Sequence, residues 1–115
     1  DVFGSCGSMS GGVDITKFPN KWKIDQRIGK YETNKQAWAE HAVINLVPTL
    51  KAGQNIIIDD GYSDFFYEVN CNLHKALLDA KIPHDFTIRP GAHTWEYWTN
   101  AIDYQMLFFA KAFAK

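Results

Sequence analysis

The run Asn55-Ile56-Ile57-Ile58-Asp59 constrains this chain more than any other. Three successive β-branched residues are stiff at χ1 and crowd a helix, so a buried strand is the expected form. Helical periodicity stands on both sides of it. Upstream, Thr33 with Gln36 makes a capping-box pattern, and Ala39, Ala42, Val43, Leu46 and Val47 repeat at helical spacing until Pro48 stops the run. Downstream, Phe66, Val69, Leu73, Ala76, Leu77 and Ala80 form one stripe of a helix over about 65–80.

The rest of the chain repeats this alternation. Ser5 to Ser10 is a run of small residues closed by Gly11-Gly12, which reads as a tightly packed strand and a turn. Val13 to Lys30 is polar and irregular, a long loop of the kind that often carries function. Asp85-Phe86-Thr87-Ile88-Arg89 is another strand. A last helix is expected over about 95–113, with Trp98, Ile102, Phe109 and Phe113 on its inner face. Strands alternating with helices predict an α/β architecture: a parallel sheet with flanking helices, about three strands and three helices in all. There are no internal repeats and no low-complexity segments.

Composition narrows the function classes. The 115 residues are 46% hydrophobic and 22% charged, enough for one domain or part of one. A net charge of −1 with no basic stripe argues against nucleic acid as a partner. No apolar run approaches the roughly 20 residues that span a bilayer, so no membrane partner is expected. Cys6 and Cys71 form no C-x-x-C pair and are read as buried thiols. No metal-ligand spacing stands out, and no cofactor is expected. The chain opens on Asp1 rather than Met, so the expectation is that an N-terminal part was removed or that the sequence is a fragment.

Two turns carry the chemistry. His93 stands in Pro90-Gly91-Ala92-His93-Thr94-Trp95, after one strand and before a helix. Asp64 stands in Gly61-Tyr62-Ser63-Asp64-Phe65-Phe66, after another strand and before another helix. Ligands of parallel sheets sit beyond the carboxyl ends of the strands, so both turns belong to one edge. A turn histidine suits a general base, and an acid that orients it completes the last two members of a Ser…Asp…His order. Asp64 reads equally well as a helix cap. Asp59 and Asp60 are rival acids, better explained as caps of turn backbone. Ser10, in Ser8-Met9-Ser10-Gly11-Gly12, imitates a nucleophile elbow, but the residues that follow are hostile to the helix an elbow needs. Trp95, two residues from His93, is a candidate for facing the cleft and binding substrate, while Trp98 is expected in the core. His41 and His74 fall on helices and His84 opens a strand, so none is a strong candidate.

These segments resemble esterases of the α/β-hydrolase fold, the group of tributyrin-type, feruloyl and acetyl-xylan esterases, S-formylglutathione hydrolases and mycolyltransferases. The resemblance rests on Phe3-Gly4-Ser5, the 8–15 segment, the 58–68 segment from Ile58 through Asp59-Asp60-Gly61 to Glu68, the 72–77 segment, Ile82-Pro83-His84, and the 90–98 segment. It implies that residues 1–115 are the C-terminal part of one α/β-hydrolase domain. It implies Asp64 as triad acid, His93 as triad base, and the Ser8–Gly12 segment as the strand after the nucleophile helix. The nucleophile and oxyanion-hole amides would then lie upstream of Asp1, in an N-terminal half or a separate chain. The implied activity is carboxylic ester hydrolysis through an acyl-enzyme, on a small-molecule or carbohydrate ester. The alternatives are a non-catalytic carbohydrate- or partner-binding module and an acyltransferase. The first strand would present an open edge, so the 115 residues alone are expected to be neither stable nor active as a monomer.

Overall fold

The computed structural model describes residues 2–115. Its centre is one parallel sheet in the order β1-β2-β3, formed by Ser5–Met9, Asn55–Gly61 and Asp85–Arg89. β2 pairs with β1 from Ser5↔Asn55 to Met9↔Asp59, and with β3 from Ile57↔Asp85 to Gly61↔Arg89. The four helices are α1 (Asp25–Ile28), α2 (Lys35–Glu40), α3 (Tyr67–Asp79) and α4 (Trp95–Phe113). Short 3-10 segments lie at Ile15–Lys17, Tyr31–Thr33 and Val43–Thr49. The expected α/β architecture is therefore present.

Alternation along β2 decides what each face holds. Ile56 and Ile58 point to one side, where they join Val13, Val47, Phe66, Val69, Leu73 and Leu77 in the main core under α3. Ile57 and Asp59 point to the other side, where the buried Tyr97, Ala101 and Gln105 bring α4 onto the sheet. The central strand is buried from Ile56 onward, as a strand covered on both faces must be.

The helix expected over 33–47 is not continuous. Thr33 ends a 3-10 turn, Asn34 precedes α2 without a side-chain cap, and the chain becomes extended at Ala42. One long-range bond and one local side-chain bond outweigh the helical pattern there. Ile44 N–H donates to the Val13 carbonyl at 3.0 Å, and Asn45 Nδ2 donates to the Ala39 carbonyl at 3.0 Å. Pro48 lies inside the following 3-10 segment rather than ending a helix. Within the 13–30 stretch, only the Ile15–Lys17 turn and the single-turn α1 interrupt the loop.

The inner face of α4 is also rotated from expectation. Tyr97, Ala101 and Gln105 face the sheet, whereas Ile102 is exposed and Phe113 is 76% exposed. Gln105 earns its place through its amide, which donates to the Ser8 carbonyl at 3.1 Å. Cys6 is exposed rather than buried, because it sits on β1, at the edge of the three-stranded sheet; Cys71 is half-buried. On the α3 side of β1 lies an open apolar groove of about 390 Å³, whose walls include Val43, Leu46 and Leu50.

Candidate active site

The turns after β2 and β3 are laced together before any side chain is considered. Tyr62 N–H donates to the Arg89 carbonyl at 3.0 Å, and Ser63 N–H donates to the Gly91 carbonyl at 2.9 Å. Glycine is required at both contact points. A Cβ on Gly61 would strike the Gly91 carbonyl. Gly91 itself has φ +138, and a Cβ there would enter the Tyr97 ring.

This lacing brings Asp64 and His93 together, with His93 Nδ1 3.0 Å from Asp64 Oδ2. Each Asp64 oxygen has its own partner, and the N-cap of α3 is Phe66 rather than Asp64. Oδ1 accepts the Phe66 N–H at 2.8 Å, an Asx turn that leads into α3, and Oδ2 faces the imidazole. The aspartate side chain is fully buried, while that of His93 is 31% exposed. Phe65 lies against the imidazole at 4.7 Å between centroids, and Trp98 meets it edge-on at 4.8 Å and 88°. Among the described residues no group hydrogen-bonds His93 Nε2. With Nδ1 toward the carboxylate, Nε2 is the nitrogen available to exchange a proton.

Asp59 and Asp60 are buried within β2 rather than standing at its end as turn caps, although Asp60 Oδ1 does accept the Gly61 N–H at 2.8 Å. Asp59 faces α4. It takes hydrogen bonds from the Tyr97 hydroxyl and the Arg89 guanidinium, and from Thr87 Oγ1 at 2.7 Å. Burial and the Asp59 carboxylate together push the Tyr97 phenol well above its usual range. Burial works against the Arg89 charge, but Asp59 outweighs it and raises the Arg89 pKa. Asp60 faces α3 and accepts from Asn70 Nδ2 at 3.0 Å. Burial first, and the Asp64 carboxylate second, lift Asp60 to about 6.

Ser10 is no free nucleophile. It is 3% exposed, and its Oγ accepts the Trp98 indole N–H at 2.9 Å. The strand runs on into a loop and a 3-10 turn, not into the helix an elbow needs. Trp95 is 81% exposed and meets Trp98 edge-on; it stands at the rim. Trp98, expected in the core, is half-buried against the imidazole. The remaining histidines lie elsewhere. His41 closes α2, and His74 pairs with His84 at 2.7 Å and stacks on Phe86. No cluster of three or more metal-ligating side chains occurs among the described residues, and no helix among them is long and apolar enough to cross a membrane.

Sequence reasoning passed over Ser10 as a hydrogen-bonding group and Trp98 as a donor. The only signal was a serine before Gly11-Gly12 and a tryptophan five residues after His93, and their contact spans 88 residues.

No protein-family model matches the sequence, and no curated protein matches it. Solved structures do. A ferulic acid esterase aligns with 95% of this chain and 41% of its own, at 27% identity and a TM-score of 0.68. A fluorophosphonate-binding serine hydrolase of Staphylococcus aureus, solved with substrate bound, aligns with 92% of this chain at 20% identity and a TM-score of 0.71. An S-formylglutathione hydrolase of the same species aligns over 92% at 21% identity and a TM-score of 0.75. The chain thus spans less than half the length of these structures, 41–44% of each. It has the fold of the C-terminal part of an esterase-type α/β hydrolase, and its structural neighbours are serine hydrolases and esterases.

Proposed function

We propose that this chain supplies the acid and base of a serine-dependent carboxylic ester hydrolase, as the C-terminal part of one domain. The observation that carries this reading is the Asp64–His93 pair at the carboxyl edge of the sheet, with Nδ1 on the carboxylate and the imidazole side chain 31% exposed. His93 takes the proton from an attacking serine hydroxyl and returns it to the leaving alcohol. Asp64 holds the imidazole tautomer and stabilises the imidazolium formed in between. The serine and the amides that receive the oxyanion come from the N-terminal half of the domain, on the same chain or a companion. The open edge of β1 and the apolar groove beside it support a missing layer at that position.

The substrate is a small-molecule or carbohydrate ester. Trp22, from the long 13–30 loop, is exposed and packs on Phe65, which lies on His93, so this loop builds one wall of the cleft. Trp95 stands at the rim on the Trp98 side of the imidazole, where its face can meet a flat ring of the substrate.

Full-length protein should hydrolyse p-nitrophenyl esters and be labelled at a serine by a fluorophosphonate probe. His93→Ala and Asp64→Asn should each lower kcat on the order of a thousandfold or more. Wild-type turnover by folded His93→Ala rejects the reading.

A further inference from the structure

We propose that Ser10 and Trp98 are positioning residues for the His93 imidazole: the Ser10 hydroxyl holds the Trp98 indole, and the indole packs against the imidazole. This rests on reading His93 as the catalytic base. The Trp98 indole packs against the imidazole, with centroids 4.8 Å apart and planes at 88°. Its Nε1 donates to Ser10 Oγ at 2.9 Å. Asp64 Oδ2 lies 3.0 Å from His93 Nδ1 and holds the same imidazole.

Each position asks for a group with the right capacity. An indole N–H only donates, a hydroxyl both accepts and donates, and a buried carboxylate accepts. Ser10 supplies the acceptor that the indole N–H on α4 needs. Its backbone gives a second sign. Ser10 has φ +56, in the left-handed region, and its N–H donates to the Asp59 carbonyl at 2.8 Å. Glycine would adopt this φ without cost, whereas a side chain there costs about 1 kcal/mol or more. What serine adds is the hydroxyl, and that hydroxyl accepts the Trp98 indole N–H.

The imidazole needs such a seat. It sits on a turn, partly exposed, with one hydrogen bond at Nδ1. That bond leaves the ring free to swing about its axis. Phe65 and Trp98 both pack against the imidazole and limit this freedom. Trp98 can act as a wall only while its own ring is fixed, and its N–H to Ser10 fixes it. Misplacement of a reacting group by about 1 Å costs on the order of a hundredfold in rate.

The test uses full-length protein and p-nitrophenyl butyrate, with folding checked by circular dichroism. Ser10→Gly keeps the backbone and removes the hydroxyl. Trp98→Phe keeps a ring edge and removes the N–H. Each should lower kcat by about 10- to 100-fold with KM within about twofold, and the double variant should be no worse than the poorer single, because the two act as one unit. Wild-type kcat in folded Ser10→Gly, or losses that multiply in the double variant, overturns the proposal. If Ser10→Gly does not fold, Trp98→Phe decides alone: wild-type kcat rejects the proposal and a loss in kcat at constant KM supports it. His93→Ala, run in parallel, separates the two levels. Activity in that variant sinks the catalytic reading itself, whereas an inactive His93→Ala beside fully active Ser10→Gly sinks only the positioning role.

Discussion

Replacing Asp60 by asparagine removes one titrating group while keeping nearly the same shape. In the folded protein Asp60 ionises at about 6 rather than 3.8, chiefly because burial penalises its charge and secondly because the Asp64 carboxylate is close. A rise of roughly two units corresponds to about 3 kcal/mol of folding free energy. The sign follows from proton counting. Between the unfolded and folded pKa values the folded state holds a proton that the unfolded state has released. The stabilisation is therefore complete below 3.8 and is lost as pH rises through about 6. Other groups around Asp60 do not mimic this. Asn70 from α3 and Ser10 after β1 are uncharged, Asp59 and Arg89 lie on the opposite face of the sheet, and Asp64 and His93 are shared by both proteins. Urea unfolding of full-length wild type and Asp60→Asn should be compared from about pH 4 to about pH 8. Relative to the variant, wild type should lose about 3 kcal/mol across that interval, mostly between about pH 4 and about pH 6.5. A difference that stays flat, or that grows in favour of wild type with rising pH, refutes the reasoning.

Three further outcomes are expected. Arg89→Met removes the guanidinium from the fully buried Asp59 and should destabilise full-length protein by about 3–5 kcal/mol in urea unfolding, whereas a loss below about 1 kcal/mol contradicts a buried pair. Gly91→Ala, at φ +138 and against the Tyr97 ring, should lower both stability and ester hydrolysis, because the same turn carries His93 and bonds Ser63; a folded variant with unchanged kcat separates the lacing from the site. The 115 residues expressed alone should self-associate in sedimentation velocity, and Val43→Lys with Leu46→Glu in the open groove should reduce that association; a monodisperse, cooperatively unfolding wild-type chain contradicts the open-edge reading.

Much of the fold was legible because local and tertiary preferences agree. Ile56-Ile57-Ile58 is β-branched and buried on both faces, so propensity and packing give one answer. α3 shows its apolar stripe at the right period, with Val69, Leu73 and Leu77 all buried. Where long-range polar bonds decide, the pattern misled. The 33–47 segment has helical periodicity, but the Val13 carbonyl draws Ile44 out of register. On α4 the buried Tyr97 and Gln105 carry polar heads whose partners, Asp59 and the Ser8 carbonyl, lie on strands far back in the chain. Hydropathy ranks such residues below Ile102 and Phe113, which end up exposed. The Asp64 and His93 turns were legible from strand-to-helix position alone, because parallel topology sends both to one edge. Asp59 and Asp60 were not, since an aspartate in the middle of a sheet makes sense only once Arg89, Tyr97 and Asn70 are seen around it.

The exposure of Cys6 turns an outer strand into a measuring device. Its thiol lines the apolar groove, and partial shielding raises its pKa, so maleimide alkylation should be slow near neutrality and quicken as the solution is made alkaline. Any polypeptide that fills the groove shuts the reagent out. The rate of adduct formation, followed by mass spectrometry, then reports occupancy without a measurement of turnover.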